Sequence, residues 1–267
     1  LHGFVKLAQG WAITGKTSSG MKTIKSFLCA VLFLMGIGMA SAQSNSTDTV
    51  DAHLTGFDRI KIQGPFKVYI TQGTEESVKL IASQEALGRI TSTVEGQTLN
   101  LRNKYESWSW GPKKWFSGNN RDYNQVERVI VYITLRDLNS LSISGSGNVA
   151  FTSPIATKAL DVQLRGSADL SGKINTQQLD ATISGSGNIK LAGTATDAKV
   201  KISGSGKFSA LDLATENANV HISGSGDASV NASNQVNAAL HGSADLRYTG
   251  TASINTIKTG SASVRKL

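Results

Sequence analysis

The sequence predicts an all-β fold, a right-handed parallel β-helix or solenoid with a less regular N-terminal β region, on three observations. A seven-residue phrase recurs from residue 141 onward at a nearly constant period. Within each copy, apolar and polar residues alternate. Aromatic residues are only 6% and prolines only 3 of 267 residues, so the core must be built from small and aliphatic side chains on extended backbone.

The phrase reads ISGSGNV (143–149), LRGSADL (164–170), ISGSGNI (183–189), ISGSGKF (202–208), ISGSGDA (222–228), LHGSADL (240–246) and, more weakly, KTGSASV (258–264). Its leading glycines are Gly145, Gly166, Gly185, Gly204, Gly224, Gly242 and Gly260, at intervals of 21, 19, 19, 20, 18 and 18 residues. Such a period marks a solenoid, in which no coil buries its own apolar stripe but stacked coils bury a continuous one. Two residues before each glycine stand Ile143, Leu164, Ile183, Ile202, Ile222, Leu240 and Lys258. Four after it stand Val149, Leu170, Ile189, Phe208, Ala228, Leu246 and Val264. Even offsets are apolar or small and odd offsets mostly polar, the period-two pattern of a strand with one buried face. The glycines and alanines two after the leading glycine are expected where opposite walls come close. A serine follows the leading glycine in every copy and is expected outside, its hydroxyl bonded along the ladder. Parallel crossovers are right-handed, which sets the expected hand. Lys258 breaks the buried column and marks the expected terminal coil.

Ahead of the repeats, the chain divides by composition. Residues 1–20 read as an upstream extension. Residues 21–42 read as a signal peptide: the basic start Met21-Lys22-Thr23-Ile24-Lys25, an apolar run from Phe27 to Met39, and the small-x-small site Ala40-Ser41-Ala42. The apolar run is too short for an ordinary membrane-spanning helix, and no transmembrane segment is expected in the mature chain. Export to the periplasm, the outer-membrane surface or the exterior follows as the expectation. Cys29, the single cysteine, falls in this leader, so disulfides and thiol chemistry are not expected beyond it. Four lysines of the net charge of +8 (Lys6, Lys16, Lys22, Lys25) also lie in residues 1–42. What remains contains no basic block to track phosphates, so nucleic acid is not an expected partner.

After a polar linker (43–55), residues 56–135 are β-rich without a regular repeat. Strands are expected at 57–62, 66–71, 77–82, 98–102 and 129–135, with a helical turn near 84–90. Residues 136–267 make the solenoid of about seven coils. The segments GFDRIKIQGPFKVYITQG (56–73) and VIVYITL (129–135), with the recurring SGSGN phrase, resemble the putative auto-transporter adhesin, head GIN domain family over roughly residues 56–250. The resemblance implies an exported protein of the kind common in Bacteroidota, a right-handed β-helical fold, and no established enzymatic activity.

The expected function is therefore a non-catalytic cell-envelope or surface module, adhesin-like, binding a glycan or a cell-surface protein without a cofactor. A carbohydrate-active β-helix enzyme and a purely structural envelope protein are the alternatives. The contact residues are expected in an aromatic loop at 104–125: Tyr105, Trp108, Trp110, Trp115 and Phe116, with lysines interleaved, in a chain otherwise poor in rings. Asp227 and Asp245, on an outward column within the phrase, are weak candidates for calcium, which takes six to eight oxygen ligands. No catalytic residue is expected. His221 and His241 stand near serines and acids, but the coils look alike and catalysis would single one out.

Overall fold

The computed structural model describes residues 47–104 and 129–267, all within one compact unit. The expected signal peptide and Tyr105, Trp108, Trp110, Trp115 and Phe116 lie outside the described residues. The first half contributes β1 (Thr47–Asp51), β2 (Arg59–Gln63), β3 (Lys67–Gln72), β4 (Ser77–Ser83), α1 (Gln84–Arg89), β5 (Ile90–Glu95), β6 (Thr98–Asn103) and β7 (Ile130–Leu135). The second contributes β8 (Ser140–Gly145), β9 (Asn148–Phe151), β10 (Ile155–Gly166), β11 (Asp169–Gly185), β12 (Asn188–Gly204), β13 (Lys207–Gly224), β14 (Asp227–Gly242), β15 (Asp245–Thr249), β16 (Ser253–Gly260) and β17 (Ser263–Lys266). Together they form a parallel β-solenoid of about seven turns.

Each turn has a break at the glycine phrase and otherwise follows one long strand bent around the axis. The residues before the glycine form the first wall, where β8, the C-terminal halves of β10 to β14, and β16 pair in parallel register. Those after it form the second wall, from β9 through the starts of β11 to β14, then β15 and β17. The alternation seen in the sequence is the alternation of burial. Ile143, Leu164, Ile183, Ile202, Ile222 and Leu240 have no solvent exposure and Phe208 fills the second wall, whereas Lys258 on the last coil is exposed.

The glycine corner is enforced by the neighbouring coil. Gly166 has φ +104°, and a Cβ there would lie 2.6 Å from the carbonyl oxygen of Gly145. Two residues further along the phrase the crowding is also from the preceding coil, not from an opposite wall as the sequence suggested. A Cβ on Gly187 would meet Leu164 Cδ2 at 2.2 Å and Ala168 O at 2.4 Å. The serine between the glycines is exposed, as its parity requires, but its amide carries the ladder. The N–H groups of Ser167, Ser186 and Ser205 donate to the carbonyls of Gly145, Gly166 and Gly185 at 2.9–3.0 Å.

The first half joins the same walls out of chain order. β2 pairs in parallel with both β6 and β8, and β3 with both β7 and β9. Thus the coil β2–β3 lies between the coil β6–β7 and the first repeat coil, although β6 and β7 follow it in the chain. The stack then ends in antiparallel strands: β5 beside β6, and β4 then β1 beside β7. Between them sits α1, whose N-cap Ser83 accepts from the Ala86 amide. Antiparallel strands joined by short turns close an edge that parallel pairing would leave open.

Candidate functional site

The coil β6–β7 differs from all others at its corner. In the coil beside it, Pro65-Phe66 link Gly64 to β3; in the repeat coils, Ser-Gly or Ser-Ala does so. Register pairs Gln63 with Arg102 and Lys67 with Ile130, so in sequence residues 104–129 stand between β6 and β7 where that coil has a two-residue link. Every tryptophan after the expected leader falls in this insertion, as do Tyr105 and Phe116. Composition therefore located the aromatic segment, and the fold locates its two attachment points, at the corner of the terminal coil.

Beside the insertion's return point stands a feature the sequence reading missed. Tyr132 and Tyr69 are register partners on the outward side of the second wall, with ring centroids 5.1 Å apart and planes 17° from parallel. Tyr132 is 43% exposed, and Lys67 Nζ lies 5.4 Å from the Tyr69 centroid. Lys79 on β4 is the register partner of Tyr132 on one side, and Ala150 on β9 that of Tyr69 on the other. The signal was present: the tetrapeptide Val-Tyr-Ile-Thr occurs at 68–71 and at 131–134, and the two copies pair residue for residue.

Elsewhere the outward columns are polar ladders. Asn188 Nδ2 donates to Asp169 Oδ1 at 2.8 Å. The calcium candidates Asp227 and Asp245 are register partners, as expected, with Lys207 beside the first and the Ser263 hydroxyl donating to the second. Among the described residues no three His, Cys, Asp or Glu side chains converge as a metal site, and two carboxylates beside a lysine fall short of calcium's oxygen shell. His221 and His241 come together on the first wall, ring centroids 5.4 Å apart.

The family model described as "Putative auto-transporter adhesin, head GIN domain" matches residues 56–252. Crystal structures share the fold. A putative adhesin from Bacteroides fragilis NCTC 9343 is 24% identical with a TM-score of 0.73, covering 84% of this chain and 98% of that one. A putative lipid binding protein from Parabacteroides distasonis ATCC 8503 is 21% identical with a TM-score of 0.65 over 84% and 98%. A putative adhesin from Parabacteroides merdae ATCC 43184 is 18% identical with a TM-score of 0.62 over 84% and 97%. No curated protein matches. One scaffold thus carries different ligand descriptions, so the ligand must be argued from side chains.

Proposed function

The chain belongs to the putative auto-transporter adhesin, head GIN domain family, and from that premise we propose that it is an exported, non-catalytic surface module binding a glycan or a surface protein. The contact is made by Trp108, Trp110 and Trp115, with Tyr105 and Phe116 flanking them. The supporting observation is their place in the sequence: the rings are concentrated between β6 and β7, and β7 carries Tyr132, exposed and stacked on Tyr69. Flat aromatic faces bind the CH faces of sugars and the apolar centres of protein interfaces, and a few such anchors carry most of the affinity. Export uses residues 21–42, leaving Gln43 as the mature N-terminus.

Replacing Trp108, Trp110 and Trp115 together by alanine is expected to abolish binding on a glycan array or in a surface-protein pull-down while leaving the β-sheet circular dichroism unchanged. An unchanged binding profile would refute the assignment and favour a structural role for the rings.

A further inference from the structure

On the first wall, near the opposite end of the stack from the insertion, two outward columns run side by side. One is Lys199, Asn219, Asn237 and Asn255, each the register partner of the next. The other is Lys201, His221, Ala239 and Ile257, paired in the same way. In the second column the side chains are long, ringed, then minimal, then branched. Ala239 is a dip with the His221 imidazole on one side and Ile257 on the other. Those walls are two strand spacings apart, about 10 Å, which admits one saturated six-membered ring edge-on. The depression is about 270 Å³ and is lined by both columns.

The chemistry of its lining is specific. Ile257 is 64% exposed, an apolar surface with no protein cover. The Asn237 amide is oriented by two hydrogen bonds, donating to Asn219 Oδ1 at 3.0 Å and accepting from Gln235 Nε2 at 3.1 Å. Asn219 Nδ2 and the Asn255 amide bond no protein group among the described residues, and both residues line the groove. Lys199 is paired with Asp180 at 3.3 Å, whereas Lys201 has no carboxylate partner among the described residues. The groove thus offers an apolar wall, a ring face, free amide donors and one uncompensated cation.

We propose that this groove binds an acidic sugar unit, a uronate residue of a saccharide chain. Its carboxylate meets Lys201, its hydroxyls meet the asparagine column, and its CH face packs on Ile257 above Ala239. A neutral sugar would leave the lysine unmatched, and a non-saccharide anion would leave the amide column and the apolar wall unused. The site is built from β12, β13, β14 and β16 and does not rest on the aromatic segment.

The test is titration of the full chain with trigalacturonate, with maltotriose and triglutamate as controls, read by calorimetry. Trigalacturonate is expected to bind at least about tenfold more tightly than either control. Lys201→Glu, which removes the cation, and Ala239→Leu, which fills the dip, are each expected to weaken it at least about tenfold, with the melting temperature checked for both. Lys201→Gln, milder and on an exposed position, is expected to weaken it severalfold. Equal binding of triglutamate or maltotriose, or indifference to Lys201 and Ala239, would each overturn the proposal.

Discussion

The repeat coils and the coils of the first half build the same two walls in opposite ways. From β10 to β16 chain order and stacking order coincide, and each corner begins with a positive-φ glycine whose Cβ would meet the glycine carbonyl of the preceding coil. In the first half the order is permuted, β2 leads to β3 through Pro65-Phe66, and β6 and β7 are separated in sequence by residues 104–129. At the leading position of each repeat corner a Cβ would meet the preceding coil's glycine carbonyl, as at Gly166, and two residues further the space takes only glycine, as at Gly187, or alanine, as at Ala168. The ends of β6 and β7 have the Gly64 corner of the next coil on one side and the antiparallel β5 and β4 on the other. Regularity therefore confines variable chemistry to the end of the solenoid and to the outward columns.

This contrast can be broken by substitution, beginning where the effect is largest. Gly187→Leu places side-chain atoms on Leu164 and the Ala168 carbonyl, and should destabilise by more than about 3 kcal/mol in a denaturant titration. Loss of less than about 1 kcal/mol would mean that the coils are not stacked as closely as described. Ile202→Ala, at a fully buried central position, should cost about 2–5 kcal/mol by the same measurement. Tyr132→Ala removes one ring of an exposed stacked pair and should cost about 1 kcal/mol. Gly88→Ala, in α1 where an added Cβ meets nothing within 4 Å, should be neutral or stabilise by about 0.5–1 kcal/mol. A glycine in the first half thus responds with the sign opposite to that of a glycine in a repeat corner.

The regular half was legible because its evidence is local. The glycine period, the even-offset column from Ile143 to Leu240 and the outlier Lys258 each follow from residues within one turn of one another. The helical turn expected near 84–90 is α1, which Ser83 caps and the Glu85–Arg89 pair spans. Stacking order in the first half was not legible, since parallel pairing leaves no mark on sequence adjacency. Nothing in Ile60-Lys61-Ile62 says that it lies between Leu99-Asn100-Leu101 and Leu141-Ser142-Ile143. The aromatic insertion was visible as composition, whereas the tyrosine pair needed the recognition that two Val-Tyr-Ile-Thr segments stack. The groove at Ala239 needed register: its odd-offset residues are unremarkable until Lys201, His221, Ala239 and Ile257 stand side by side. The serine ladder was read as hydroxyl chemistry although the amides carry it, because a constant side chain draws attention that a constant backbone does not.

The permuted order is tested most directly by cysteine pairs at Gln63, Arg102 and Ser144, set in a Cys29→Ser background. Gln63 is the register partner of both Arg102 and Ser144, and neighbouring strands about 4.8 Å apart fall within the Cα range of a disulfide, whereas two spacings do not. The account predicts that oxidation links Gln63→Cys to Arg102→Cys and to Ser144→Cys, and leaves the pair Arg102→Cys with Ser144→Cys unlinked. Ready linkage of that last pair, with none between Gln63→Cys and Ser144→Cys, would mean that the coils stack in chain order and would contradict it.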